Sequence, residues 1–345
     1  MIGASYVSEQ GLLEAARQGD EDAFAQLVEP HRGALHAHCY RMLGSVADAE
    51  DALQETLLRA WRGLHRFEGR SSLRSWLYTI ATNSSLKAIE KRPRRVIPID
   101  YGPPGDPHEG VGEPLVESVW VEPYPDERFG LEDGFASPDA RYEQRESVEL
   151  AFIAALQHLP PRQRAVLILR DVLGFSGDEV AGVLDTTATS VYSALQRAHK
   201  VVDERLPERS QQATLRTLGD DEVRRLVQDY VEVWERNDVD ALVGMLANDV
   251  AISMPPTATW FRGRDIVVDF LVSRPLSGSL RWRGIPVRAN GQLGIGFYVW
   301  RDEEQAFMPH GVNVISLEGD RIDDIVAFID AKTIEVFGLP ERLPE

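Results

Sequence analysis

Eight prolines between positions 98 and 138 interrupt this chain of 345 residues and limit what its middle can fold into. The stretch 98–140 also carries eleven acidic residues and one basic residue, Arg128, for a net charge of −10. Such a segment buries too little apolar surface to fold alone, so we predict a linker over 97–142. One patch within it, SVWVEPYP at 118–125, is aromatic and apolar, and is either a docking peptide or a local collapse without a partner.

Charge is segregated along the chain, although the total of −18 argues against nucleic-acid binding. The residues from Arg66 to Arg95 include eight basic and two acidic side chains, for a net charge of +6. A basic strip directly before an acidic stretch indicates a nucleic-acid surface beside a repelling or mimicking segment. The alternative is a solvated face followed by a spacer.

The single cysteine, Cys39, excludes an internal disulfide and any zinc or iron–sulfur site built from several cysteines. We expect Cys39 to be a small buried residue in a reducing compartment. No apolar run approaches the roughly 18 residues that span a bilayer, and the N-terminus lacks the basic segment and apolar core of a secretion signal. These features predict a cytoplasmic protein with no membrane partner.

Apolar residues at helical spacing predict helices over 12–92. Ser45 and Ser72 each precede such a helix, and Pro93 ends the second one because proline removes a backbone donor. We expect Trp76 to lie on the apolar face of that second helix, in the core.

A second helical region, 143–206, contains a short helix, a tight turn and a longer helix. Ser176 and Glu179 form a capping box before the short helix, and Thr187 caps the longer one. This arrangement within about 25 residues is typical of a helix-turn-helix, although two helices of an ordinary bundle would look alike.

The last 125 residues begin with an amphipathic helix, after which strand-like runs alternate with turns such as Asn290-Gly291. Helices followed by an antiparallel meander predict an α+β domain. The strand-like runs are 250–254, 281–288, 295–301, 312–318 and 321–330.

Two blocks resemble regions two and four of the sigma-70 family of RNA polymerase sigma factors, in its extracytoplasmic-function group. They are DAEDALQETLLRAWRGLHRFEGRSSLRSWLYTIATN at 48–83 and LPPRQRAVLILRDVLGFSGDEVAGVLDTTATSVYSALQRAHK at 159–200. A third run, LEGDRIDDIVAFID at 317–330, is similar to a SnoaL-like domain, a cone-shaped α+β fold with a curved antiparallel sheet. The resemblance implies a multidomain chain: an all-α region-two bundle at 1–96, the linker at 97–142, an all-α region-four helix-turn-helix at 143–208, a short linker at 209–219 and the SnoaL-like cone at 220–340.

The resemblance also implies core RNA polymerase as a partner, through its β′ clamp and β flap. Asp51, Gln54 and Glu55, on the helix after Ser45, match the positions that contact the clamp. An acidic and amide-bearing stripe pairs with basic residues of a partner helix and sets its orientation. Alone, the same stripe would be read as a solvated helix face.

Promoter DNA is the second implied partner. Reading the minus-ten element requires separated strands, and cations, aromatic rings, hydroxyls and amides suit phosphates and unpaired bases. The candidates for this contact are Phe67, Arg70, Ser72, Arg74, Asn83, Lys87, Lys91, Arg92, Arg94 and Arg95. The resemblance also implies that the linker threads through the polymerase toward the RNA exit path. Because the acidic linker resembles nucleic acid in charge, we hypothesise that it occupies a basic channel there until nascent RNA displaces it.

The helix that begins near Ala188 is expected to enter the major groove at the minus-thirty-five element. Tyr192, Ala194 and Gln196 stand where the family often has lysine, arginine and histidine, so this contact is either weak or reads different bases. The candidates are Thr189, Ser190, Tyr192, Ser193, Gln196, Arg197 and Lys200.

Three roles remain open for the C-terminal domain: catalysis, binding of a small ligand in its pocket, or intramolecular regulation. Neither a nucleophile motif nor a metal-ligand cluster occurs in the sequence, so we predict no enzyme, catalytic residue, metal or cofactor. The polar candidates are Asp249, His310, Asn313 and Asp330, and the aromatic ones are Trp260, Phe261, Trp282, Phe297, Tyr298 and Trp300.

We therefore predict a sigma factor that directs transcription initiation and is regulated by its C-terminal domain. Two alternatives are a helix-turn-helix regulator that does not bind polymerase, and a SnoaL-like enzyme with a helical appendage. The sequence identifies no anti-sigma factor.

Overall fold

The structure, a computed structural model, describes residues 8–115, 119–129 and 146–345. Internal contacts divide them into two compact units. The helical unit contains 8–92, 128–129 and 159–201, and the sheet unit contains 93–127, 146–158 and 202–345. The end of the predicted linker, 130–142, lies outside the described residues.

Fourteen α-helices and six strands account for the described fold. The helices are α1 Glu9–Arg17, α2 Glu21–Leu43, α3 Val46–Gly63, α4 Leu73–Ile89, α5 Pro98–Tyr101, α6 Leu150–Gln157, α7 Pro161–Leu167, α8 Gly177–Val183, α9 Ala188–Asp203, α10 Gln211–Leu218, α11 Asp220–Arg236, α12 Val239–Met245, α13 Arg264–Ser273 and α14 Ala331–Val336. The strands are β1 Leu246–Ser253, β2 Trp260–Arg262, β3 Trp282–Ala289, β4 Gln292–Arg301, β5 Ala306–Glu318 and β6 Arg321–Phe328. Within the described ranges, no helix has the length and apolar character needed to cross a membrane.

Local capping sets the helix starts of the helical unit. The hydroxyl of Ser45 accepts from the N–H of Asp48, and the hydroxyl of Ser72 accepts from the N–H of Ser75. These bonds satisfy backbone donors that have no partner inside the helix. Both predicted N-caps are therefore confirmed.

The first four helices of the helical unit pack around a core that includes polar groups. Cys39 is fully buried, as predicted, and burial raises the pKa of its thiol to about 12. His38 is also fully buried, with Nε2 lying 2.9 Å from Thr82 Oγ1. Burial, together with the charge of Arg41, lowers the pKa of His38 to about 3. The imidazole is therefore neutral in the folded protein at physiological pH.

The helix-turn-helix in the helical unit consists of α8 and α9. Ser176 and Glu179 form the predicted capping box at α8. Asp185 has a φ of 48° in the intervening turn, a left-handed conformation that turns the chain sharply. The hydroxyl of Thr187 then accepts from the N–H of Ser190, as predicted for the start of α9.

The sheet unit contains one six-stranded sheet in the order β2-β1-β6-β5-β4-β3. Its pairings are antiparallel except for β1 with β6, which are parallel. The predicted α+β class with a mostly antiparallel sheet is confirmed. The parallel pair and the short strand β2 were not anticipated, because neither follows from a local hairpin signal.

Part of the proline-rich segment packs within the sheet unit. Trp120, Val121 and Tyr124 are at most 6% exposed. The Trp120 indole N–H donates to the Pro256 carbonyl over 2.8 Å. The aromatic patch, for which a docking peptide and a local collapse were both open, therefore packs in its described residues against a surface of the same chain.

We expect the buried neutral His38 to make the helical unit less stable in acid. Its pKa in the unfolded chain is about 6.5, so the unfolded state takes up the proton first and stability is lost as pH falls below that value. Between about pH 6.5 and about pH 5 this loss amounts to roughly 2 kcal/mol.

Denaturant unfolding of the full chain and of His38→Gln at these two pH values measures the effect. The variant is expected to lose less stability on acidification than the parent, whereas substitution of the exposed His65 leaves the pH dependence unchanged. An equal acid sensitivity of His38→Gln and the parent would contradict the assignment.

Candidate functional site

A polar stripe runs along the exposed face of α3. Asp51, Gln54 and Glu55 are all exposed and lie three and four residues apart, which places them on one side of the helix. Leu58, which is 42% exposed, extends the stripe by one turn. The sequence analysis did not single out Leu58, although its spacing from Gln54 and Glu55 could have identified it.

Two members of this stripe are paired within the helical unit. Glu55 accepts from Arg59 over 2.6 Å, and Asp51 lies 3.6 Å from the guanidinium of Arg92. Arg92 also forms an ion pair with Asp48, whose side chain is 6% exposed. These pairs fix the direction of the stripe and hold Arg92 at its edge.

The exposed face of α4 carries part of the basic strip. Asn83 and Lys87 are exposed and lie four residues apart, and Lys91 follows just beyond the helix end. Each lysine places a cation where a phosphate in solvent could approach it. Of the predicted minus-ten residues, these three and Arg94 are exposed, and their side chains form no hydrogen bond or ion pair with the described residues.

Other predicted minus-ten residues have local structural partners. Phe67 is 7% exposed and packs on Trp76, with ring centroids 5.0 Å apart. Arg70 pairs with Glu68, and Ser72 is the N-cap of α4. Trp76 is half-buried in the apolar cluster, which agrees with its predicted core role.

Arg74 joins two parts of the helical unit. Its guanidinium donates to the Leu173 carbonyl over 2.9 Å and lies 4.7 Å from the ring centroid of Phe175. The same group lies over the ring of Tyr78, 5.2 Å from its centroid. A single predicted DNA-binding side chain thus bridges α4 and the loop before α8.

The last two cations of the basic strip belong to the sheet unit. Arg94 is exposed, but Arg95 is 6% exposed. The Arg95 guanidinium donates to the Trp120 carbonyl over 2.7 Å and pairs with Glu122 at 3.3 Å. Arg95, which the sequence analysis assigned to a continuous basic strip, is therefore paired with residues that are distant in sequence.

All seven residues predicted for the minus-thirty-five contact are exposed on α9. Val191, Ala198 and Val202 of the same helix are buried, so the polar face is the one turned to solvent. His199, which the sequence analysis missed, lies on this face and pairs with Asp171 at 2.5 Å. The helix presents hydroxyls, an amide and cations together, the groups that read base edges and bind phosphates.

The sheet unit contains a partly open cavity of about 300 Å³. Of the four polar residues singled out in the C-terminal domain, His310 and Asn313 line it. Asp330 instead caps α14, where it accepts from the N–H of Lys332. Trp282 and Phe297 are the two predicted aromatic residues at the cavity wall.

The only group of three or more metal-ligating side chains found in the described residues consists of carboxylates. Oxygen atoms of Asp249, Glu318 and Asp323 lie within 4.8 Å of one another. Burial and the charges of the other two raise the pKa of Asp323. Exposed acidic groups often cluster without an ion, so we assign no metal here.

Comparisons with known proteins agree with this division of the chain. Residues 27–95 match the family described as Sigma-70 region 2, and residues 149–200 match Sigma-70, region 4. Residues 227–325 match the SnoaL-like domain. The matched ranges contain the stripe of α3, the exposed face of α4, most of α9 and most of the residues that line the cavity.

The chain is 40% identical to the ECF RNA polymerase sigma factor SigG of Mycobacterium tuberculosis H37Rv, over 99% of this chain and 90% of that protein. It is 26% identical to the ECF RNA polymerase sigma factor SigW of Bacillus subtilis, over 56% of this chain and 94% of SigW. The crystal structure of the Mycobacterium tuberculosis extracytoplasmic function sigma factor SigJ has the same fold, with a TM-score of 0.55 and 23% identity, over 90% of this chain and 97% of SigJ. The chain therefore belongs to the extracytoplasmic-function RNA polymerase sigma factors and carries a C-terminal SnoaL-like domain.

Proposed function

We propose that this sigma factor binds core RNA polymerase through α3, binds promoter DNA through α4 and α9, and is regulated through the linker that its SnoaL-like domain holds. As a member of the family, the chain acts in transcription initiation together with core polymerase and promoter DNA. One observation supports this assignment of surfaces. Within the helical unit, the exposed acidic stripe lies on α3, whereas the exposed cationic and polar faces lie on α4 and α9. The proposal puts the protein in the cytoplasm, where bacterial polymerase acts.

The stripe of α3 suits a basic partner helix. Asp51 and Glu55 supply charge, Gln54 supplies an amide, and Leu58 supplies an apolar contact next to them. Charge complementarity of this kind directs association and orientation, while the apolar contact adds affinity. The proposed partner surface is the β′ clamp, with the β flap as the contact for region four.

The cationic and polar faces suit two different kinds of contact with DNA, one to phosphates and one to bases. Lys87 and Lys91 neutralise phosphates and so position the chain without reading sequence. Asn83 lies beside them and offers an amide to an unpaired base. The hydroxyl and amide groups of α9 address base edges in the major groove, with Tyr192 and Gln196 as the residues that distinguish this chain from the common family pattern.

We propose a regulatory rather than catalytic role for the SnoaL-like domain. Among the residues that the structure describes, no carboxylate lines the cavity. The cavity wall therefore offers no carboxylate as the general acid or base of an isomerase-type reaction. Its surface instead binds Trp120, whose carbonyl in turn holds Arg95. Release of this segment would return one cation to the DNA-binding strip.

Family membership favours this proposal over a regulator that never binds polymerase or an enzyme with a helical appendage. Run-off transcription with core polymerase on a library of genomic fragments tests the activity and identifies the promoter. Transcripts that depend on the chain are expected. Their absence from every template, with core polymerase known to be active, would contradict the proposal.

Reversing the charge of Glu55 tests the polymerase contact. Glu55→Lys places a cation against the basic partner, so we expect affinity for core polymerase to fall by at least roughly tenfold. Glu29→Lys is the matched control, because Glu29 is also exposed on a helix and pairs with a nearby arginine, Arg32, at 3.7 Å. Equal affinities of the two variants, measured by pull-down or fluorescence anisotropy, would count against the stripe.

Removing two cations tests the promoter contact. The double variant Lys87→Ala, Lys91→Ala neutralises fewer phosphates, so the slope of log K against log salt is expected to decrease by about 1 for each lysine that binds a phosphate in the parent. Lys332→Ala, an exposed lysine of the sheet unit, is expected to leave the slope unchanged. An unchanged slope in the double variant, in holoenzyme on a selected promoter fragment, would remove α4 from the DNA-binding surface.

Trp120→Ala tests regulation through the linker. Without the indole, the segment loses its hydrogen bond to the Pro256 carbonyl and is released more easily together with Arg95, so we expect promoter DNA to bind more tightly and run-off transcript to increase. Trp300→Ala is the control, since that indole N–H donates only to a nearby surface carboxylate, Asp302. Unchanged promoter affinity and transcript in Trp120→Ala would contradict the regulatory proposal.

A further inference from the structure

The loop 67–72, which precedes α4, carries three of the residues predicted to meet the minus-ten element: Phe67, Arg70 and Ser72. Residues 68–71 are exposed, and no backbone hydrogen bond of theirs occurs within the part of the chain that the structure describes. The ion pair of Arg70 with Glu68 is internal to this stretch and moves with it. The direction of the stretch is therefore set by what holds Phe67 and Ser72.

The end of the loop is fixed by the helix that follows it. The Ser72 hydroxyl accepts from the N–H of Ser75 over 3.1 Å and donates to the Ser75 hydroxyl over 3.0 Å. Leu73, the first residue of α4, is buried. This end of the loop is part of the N-cap of α4 and needs no support from elsewhere.

The start of the loop is held in part by a residue that is distant in sequence. Phe67 packs its ring on Trp76, and its N–H donates to the Leu64 carbonyl over 3.1 Å. The carbonyl of Phe67 accepts from the guanidinium of Arg17, which also lies 6.0 Å from the centroid of the Phe67 ring. This carbonyl is the last backbone group to be held before the unsupported stretch 68–71, so Arg17 controls where that stretch begins.

Arg17 itself extends from a helix whose position is fixed. Ser8 caps α1 by accepting from the N–H of Gly11 over 3.2 Å. Ala16 is buried and belongs to the same apolar cluster as Leu64 and Trp76. Residues 9–17 lie outside the range 27–95 that matches Sigma-70 region 2, so the family match assigns no role to Arg17.

We propose that Arg17 is a positioning residue for the minus-ten contact. By binding the Phe67 carbonyl, it fixes the direction in which residues 68–71 meet the unpaired bases, without touching the DNA itself. A loop that is already ordered loses less conformational entropy when it binds, so its contacts contribute more to affinity. This inference rests on the proposed contact of region two with the minus-ten element.

Arg17→Ala in holoenzyme tests the role. The probes are a labelled single strand that covers the minus-ten element of the selected promoter fragment, and the same strand with its minus-ten bases scrambled. Affinity for the promoter strand is expected to fall by roughly tenfold, the effect of one hydrogen bond from a charged donor. Affinity for the scrambled strand should stay near that of the parent, so that the ratio of the two affinities falls.

Three further measurements separate positioning from other roles of Arg17. The slope of log K against log salt should not change, because no phosphate contact is removed. Arg17→Lys, which keeps a cationic donor, should recover part of the lost ratio. Arg32→Ala, which removes an exposed arginine of α2 that pairs with Glu29 at 3.7 Å, should bind as the parent does. Affinity for core polymerase should be equal in all of these variants.

An unchanged ratio in Arg17→Ala would overturn the inference. An equal loss of affinity for both strands, or a slope that decreases by about 1, would also overturn it, because Arg17 would then bind a phosphate directly. A loss of affinity for core polymerase in Arg17→Ala would point to a general structural role instead. A parent holoenzyme that binds both strands equally would contradict the proposed minus-ten contact, and the role of Arg17 with it.

Discussion

Asn290 makes the contacts on which the arrangement of the sheet unit depends. It occupies the turn between β3 and β4 with a φ of 56° and is fully buried. Its backbone N–H donates to the Tyr124 carbonyl over 2.8 Å, and its side-chain oxygen accepts from the Tyr124 N–H over 2.8 Å. Its amide nitrogen donates to the Val148 carbonyl, also over 2.8 Å. One turn residue thereby joins the hairpin, the linker and the segment before α6.

These contacts explain how a proline-rich acidic segment becomes ordered. Alone it has too little apolar surface to offset the entropy of ordering its backbone. Its few large apolar residues, Trp120, Val121 and Tyr124, are instead buried in the sheet unit, and backbone groups near them pair with Val96. Glu149 adds a second tie by accepting from the N–H groups of Gln211 and Gln212, while burial raises its pKa to about 7.

The functional consequence concerns the connection between the two promoter-reading parts of the chain. The segment that leaves α4 and its basic strip is held by the SnoaL-like domain, as is α6 at the start of region four. The proposed regulation therefore requires only that this domain hold or release the two segments.

Sequence reasoning succeeded where structure is local. The caps at Ser45, Ser72 and Ser176 follow from residue type and spacing, and so does the outward face of α9. Sequence reasoning failed where contacts join residues that are distant in sequence. The spacing of apolar residues and the secondary-structure propensity of each residue carry no information about such contacts. The burial of Arg95 under Trp120 and the parallel pairing of β1 with β6 are of this second kind.

The same distinction applies to the surfaces. Lys87 and Lys91 are exposed, and Phe67, whose contact with bases stays a prediction, packs against Trp76.

Hydrogen exchange at single amides tests the central claim, that the SnoaL-like domain holds the linker. The N–H of Val121 donates to the Val96 carbonyl and that of Tyr124 to Asn290. Protection of both amides to the level of the central strands β5 and β6 is expected in the free protein. Exchange of both at the rate of an unstructured peptide, while the strands stay protected, would contradict it.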